Sequence, residues 1–166
     1  AYKLWAEAFG RTKPLEVGLS RDGKRWALRL YEEDIIGEKV ALQQDDVWVI
    51  SGGGAGVTAR CIVGVAQASR NAGATFVLLG RTRLDSSIEH WLEDDEQTLQ
   101  SRKLNLREEM IANSKSGKVT MVEWENSWNQ NMRNLEVYRT IRDIQETGNR
   151  ALYDACDVTN GKAVHK

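Results

Sequence analysis

The sequence predicts an α/β fold in which a parallel sheet is built from strands joined by helices, and three observations predict it. A short apolar run, Val47-Trp48-Val49-Ile50, is followed at once by Ser51, Gly52, Gly53, Gly54, Ala55 and Gly56. Val57, Cys61 and Val65, with Ile62 and Ala68 beside them, then recur at helical spacing until Asn71 and Gly73 close the pattern. A second apolar strand, Thr75 to Leu79, comes next and ends in Gly80-Arg81-Thr82-Arg83. Strand, glycine turn, helix and strand in that order make a β-turn-α-β unit of nucleotide-binding type.

Each part of the unit has its own reason. No polar residue alternates within Val47–Ile50, so this run reads as a strand buried on both faces. The glycines let the backbone turn sharply and approach a ligand, and the helix that follows offers unpaired amides and a positive dipole end to a phosphate. An ATPase-type phosphate loop needs Lys and then Ser or Thr after its last glycine, and Val57 and Thr58 stand there instead. A dinucleotide site remains, of the Rossmann type. Where NAD-binding proteins place an Asp or Glu for the ribose 2′-hydroxyl, this chain has Arg81 followed by Thr82, and a cation there favours the 2′-phosphate of NADP(H). The alternative is a glycine-rich turn that binds nothing.

The flanking elements follow from the same kind of pattern. Residues 1 to 12 carry Leu4, Trp5, Ala8 and Phe9 on neighbouring faces of a short helix, which Pro14 ends. Leu15, Val17 and Leu19, then Trp26, Leu28 and Leu30, alternate with polar or small residues on either side of Asp22-Gly23, a pair suited to a tight hairpin turn. Residues 31 to 45 read as a connection, so that 1–45 and 46–166 are expected to be separate units. Residues 82 to 149 far exceed the roughly one dozen that a crossover requires, and read as a helical insertion. Ser86 or Ser87 is placed to cap a helix containing Ile88, Trp91, Leu92, Leu99, Leu104, Leu106, Met110 and Ile111. A break at 113–117 precedes Thr120 and Glu123, a capping-box pair opening a helix that runs toward Gly148.

Composition narrows the class. With 23 Lys and Arg against 24 Asp and Glu, the bulk charge offers no field for nucleic acid, and no apolar run is long enough for a membrane span. Cys61 and Cys156 each lie in an apolar element without a local base, which makes them small core residues in a reduced, cytoplasmic setting. The acidic run Glu93 to Glu96 spreads its carboxylates around a helix with no histidine at ligand spacing, so no metal site is expected.

At the level of motifs, VWVISGGGAGVTA resembles the first strand and cofactor loop of the ketoreductase domains of modular polyketide synthases and polyunsaturated fatty acid synthases, in the short-chain dehydrogenase/reductase superfamily. In the family loop Thr-Gly-Gly-x-x-Gly-x-Gly, Ser51 stands for the Thr, Gly52, Gly53 and Gly56 match, and Thr58 replaces the last glycine. FVLLGRT resembles the second strand and 2′-phosphate site, and LYDACDVTN the third strand with its adenine-binding Asp157-Val158. LEVGLSRDGKRWALRL resembles the strand pair leaving the family's structural subdomain, while GKVTMVEWENSW and NLEVYRTIRDIQETGN resemble an insertion of the fatty-acid-synthase branch. The resemblance implies a Rossmann-type doubly wound sheet of which this chain supplies the first three strands. It further implies NADP(H) held by Ser51, Gly52, Gly53, Gly54, Ala55, Gly56, Val57, Arg81, Thr82, Asp157 and Val158, and reduction of a carrier-tethered 3-ketoacyl thioester to the 3-hydroxyacyl form.

The family's proton-transfer Ser, Tyr and Lys or Asn follow the fourth strand. None of Tyr2, Tyr31, Tyr138 or Tyr153 has a Lys or Asn four residues on, so no catalytic residue is assigned here. The expected partners are the remaining half of the reductase domain, an acyl carrier protein and neighbouring synthase domains. The reading from a different class is a non-catalytic structural or interaction piece derived from a reductase domain.

Overall fold

The computed structural model describes residues 17–32, 41–115 and 117–165. The chain divides into two compact units, Ala1–Lys39 and Val40–Lys166. The helix expected over residues 1 to 12 and residues 33–40 of the connection lie outside the described residues. In the first unit, β1 (Val17–Leu19) pairs antiparallel with β2 (Arg25–Ala27). Gly23, at φ 84°, donates its amide to the Ser20 carbonyl at 2.9 Å, and the Ser20 amide reaches the Lys24 carbonyl at 3.0 Å. The Asp22-Gly23 pair therefore builds a three-residue loop with glycine in its left-handed position, not a two-residue turn. Trp26 and Leu28 are exposed.

In the second unit β3 (Val47–Ser51), β4 (Thr75–Gly80) and β5 (Arg150–Ala155) form a parallel sheet in the order β3-β4-β5, a Rossmann-like arrangement. Helices α1 (Gly56–Ala68) and α3 (Met121–Gln145) make the two crossovers and pack on the same face. There Ile62, Ala66 and Ile144 meet Ile50, Phe76, Leu78 and Ala151 in one core. Among the described residues nothing covers the opposite face: Val47, Val49 and Leu152 are 61%, 65% and 57% exposed. Val47–Ile50 is thus buried on one face only, because the described helices pack on a single side of the sheet.

Two stripes on α1 could have faced inward, and the smaller does. Ala59, Ile62 and Ala66 are buried, whereas Val57 and Cys61 of the other stripe are exposed. Alanines let the helix come close to both the sheet and α3, which the bulkier stripe would prevent. Cys61 is accordingly a surface thiol, and Cys156 alone is a core residue.

The insertion has a core of its own. Residues 86 to 111 do not form the single helix expected. A 3-10 helix, Ser86–Glu93, is capped by Asp85, and α2, Glu96–Asn113, is capped by Asp95, which accepts the Thr98 amide at 2.8 Å. Hydrogen bonding from the Ser87 and Thr98 hydroxyls, and then from their backbone amides, holds the carboxyls of Asp85 and Asp95 below their ordinary value. Each member of the acidic run but Glu96 thereby has a structural partner, since Asp94 pairs with Arg102 and Glu93 with Arg142. The Thr120–Glu123 capping box forms as expected, with both backbone amides bonded at 3.2 and 2.8 Å. Ile88, Trp91, Trp128 and Leu135 are buried together, with the two indoles stacked at 6.0 Å. Helix α2 fully buries none of its residues; Leu99 and Leu106 pack half-buried against that core, and Arg102 lies over Trp91 at 4.9 Å and Lys103 over Trp124 at 5.0 Å.

Candidate functional site

At the carboxyl end of the sheet the glycines divide by physical cause. Gly52 and Gly56 sit at φ 71° and 70°, in the left-handed region that other residues avoid, and nothing lies within 4 Å of where a Cβ would stand. Gly53 and Gly54 are glycines for want of room. A Cβ on Gly53 would come within 2.9 Å of Ile50 and Leu78, and one on Gly54 within 2.8 Å of Tyr153 and 3.1 Å of Val137. The Thr140 hydroxyl donates to the Gly54 carbonyl at 3.0 Å, so α3 fixes the height of the loop. Ser51 ends β3 and is exposed, and Ala55 supplies the extended residue before α1 without a side-chain cap.

The first turn of α1 contains no acidic residue. Its negative partner comes from 80 positions away: the Gly56 amide donates to Glu136 Oε1 at 2.7 Å. The amides of Val57 and Thr58, first-turn residues by position, have no acceptor within the helix. Two of the loop's backbone donors are thus already given, the Gly52 amide to the Leu79 carbonyl at 2.7 Å and the Gly56 amide to Glu136.

Beyond β4, Arg81, Thr82 and Arg83 line a cavity of about 840 Å³ with Gly52, Gly54 and Ala55 of the loop. Tyr153 closes its floor and donates its hydroxyl to the Thr82 carbonyl at 2.7 Å, which fixes the segment between the two arginines. Burial pushes the Tyr153 phenol above its ordinary value, so it stays protonated and donating. Arg81 also lines a second, smaller cavity of about 230 Å³ with Ser51, Gly52, Leu79, Asp157 and Val158. Asp157 accepts the Thr159 hydroxyl at 2.8 Å and the Thr159 amide at 3.0 Å, and these bonds, with a lesser pull from Arg81, hold its carboxyl low. Of the residues singled out in the sequence, Ser51, Gly52, Gly54, Ala55, Arg81, Thr82, Asp157 and Val158 line these two cavities, which share Gly52, Gly80 and Arg81, whereas Gly53, Gly56 and Val57 line neither.

Over 153 residues, 91% of this chain, the sequence is 26% identical to a subunit of the polyunsaturated fatty acid synthase of Thraustochytrium sp. (strain ATCC 26185 / S-3). The chain is similar to a stretch of a fatty acid synthase. It spans only 5% of that subunit's length. No family model matches, and no solved structure matches. Among the described residues no helix is long and apolar enough to cross a membrane.

Sequence reasoning missed Glu136, Thr140, Val137, Arg133 and Tyr153. All but Tyr153 belong to α3, whose register against the loop is set by tertiary packing. Only the i, i+4 spacing of Glu136 and Thr140 placed them on one helical face.

Proposed function

We propose that Val40–Lys166 is the NADP(H)-binding portion of a β-ketoacyl reductase acting on carrier-tethered 3-ketoacyl thioesters in fatty acid or polyketide synthesis, in a cytoplasmic multienzyme. The observation that carries this reading is the arginine-lined cavity joined to a glycine loop whose Gly52 and Gly56 need positive φ. In it, Ser51 to Val57 line the pyrophosphate, Arg81 and Thr82 the 2′-phosphate, and Asp157 with Val158 the adenine. The residues fit the group: space stands open over Gly52, and the larger cavity is lined by arginines and no carboxylate. When bound, the nicotinamide supplies the hydride for the β-carbon of the substrate. This chain binds and orients the cofactor. Tyr153 cannot serve as proton donor to a ketone, because its hydroxyl is already given to the Thr82 carbonyl. The remaining half of the reductase domain provides that group, and an acyl carrier protein delivers the substrate.

The test is a calorimetric titration of wild-type chain and Arg81→Ala with NADPH and NADH. A guanidinium on a phosphate makes strong charge-assisted bonds, so Arg81→Ala should weaken NADPH about tenfold and NADH far less. Equal weakening of both would overturn the reading. Glu136 on the Gly56 amide favours a second reading, a non-catalytic scaffold whose loop is capped by its own side chain. Absence of any nucleotide affinity in a cooperatively folded chain would support that one.

A further inference from the structure

The cavity beyond β4 has a second wall that the glycine loop and the β4 arginines do not explain. Gln130, Arg133 and Val137, all from α3, face Arg81, Thr82 and Arg83 across it. The wall is held in place. Val137 lies where a side chain on Gly54 would stand, and Thr140 bonds the Gly54 carbonyl, so α3 is keyed to the loop one turn from Arg133. On the opposite side, Tyr153 ties down the Thr82 carbonyl between Arg81 and Arg83. Three guanidinium groups therefore border one cavity that no Asp or Glu lines, and Glu136, three residues after Arg133, is turned to the Gly56 amide. Cations gathered in this way repel one another and are relieved by a compact dianion, which a guanidinium fork binds through two parallel bonds.

We infer that Arg133 is a third cation of the 2′-phosphate subsite, so that the insertion helix, and not the β4 end alone, sets the preference for NADP(H) over NAD(H). This rests on the proposed nucleotide site and adds to it a positioning and specificity residue from an element outside the β-turn-α-β unit.

The experiment titrates the full chain with 2′,5′-ADP and with 5′-ADP, probes that differ by the 2′-phosphate and need no nicotinamide pocket. Arg133→Ala should weaken 2′,5′-ADP by about five- to tenfold and leave 5′-ADP within about twofold, with Arg133→Lys recovering part of the loss. Thermal unfolding of each variant serves as the fold control, and Arg133→Lys carries the test if Arg133→Ala is destabilised. If Arg81→Ala discriminates between the two probes and neither Arg133 variant does, this inference fails while the nucleotide site stands. A wild-type chain that binds 2′,5′-ADP no tighter than 5′-ADP overturns both.

Discussion

The two ends of the parallel sheet are built on opposite terms. At the amino-terminal end, Asn149 is buried and every polar atom of its side chain is engaged. Its amide nitrogen donates to the carbonyls of Ala66 and Ser69 and to the Thr147 hydroxyl at 3.3, 3.1 and 2.9 Å, and its oxygen accepts the Ala74 amide at 3.1 Å. The Asn71 amide closes the knot on the Thr147 carbonyl at 2.7 Å. At the carboxyl end lie left-handed glycines, helix amides without helical acceptors, and arginines around open space. The first end turns its polar groups on itself, and the second, on the proposed function, keeps some of its own for a nucleotide. Bonds of that kind make the amino-terminal end the rigid one, and the proposed phosphate would meet the protein at the other.

The strongest way to break that contrast is Asn149→Ala. It leaves the Ala74 amide buried without its partner and takes a donor from the carbonyls of Ala66 and Ser69, the latter keeping the Ala72 amide, and should cost about 2–4 kcal/mol of stability in urea unfolding. Nucleotide affinity below the transition should not change. A loss under about 0.5 kcal/mol would mean that water replaces the side chain and that this end is not the rigid one. Gly54→Ala comes next. Its methyl would collide with Tyr153 and Val137, and the overpacking should cost about 1–3 kcal/mol and push the loop away from α3, with loss of nucleotide binding. Were Gly54→Ala as stable as wild type, the distinction between glycines required by space and by φ would fall.

How much of this was legible in the sequence follows the range of the interactions. The β-turn-α-β unit and the Thr120–Glu123 box were readable because local periodicity and short spacings decide them. Val47 and Val49 misled, since an apolar strand looks the same whether one face or both are covered. The stripe on α1 misled because Val57-Cys61-Val65 and Ala59-Ile62-Ala66 are both apolar, and only the distance of approach to α3 selects the second. Glu136 and Arg133 lie some 50 to 80 positions from what they face. No local rule could have brought them to the loop.

Glu136→Gln sharpens the contrast with the smallest effect and the most telling sign. The carboxylate does for α1 what an acidic first turn would do, holding negative charge against the helix's positive end. Gln keeps an oxygen for the Gly56 amide but removes the charge, so stability should fall by only about 0.3–1 kcal/mol. A pyrophosphate brought to the same loop meets a like charge in the wild-type chain and none in the variant. Affinity for 5′-ADP should therefore rise by about two- to fivefold in Glu136→Gln, and the gain should shrink as salt screens the pair. Stability and affinity moving in opposite directions is the signature of a side chain that holds the place of a ligand. A fall in both would identify Glu136 as a contact to the nucleotide itself, and the contrast between a self-satisfied end of the sheet and an end held open for a ligand would then need Glu136 moved from the first group to the second.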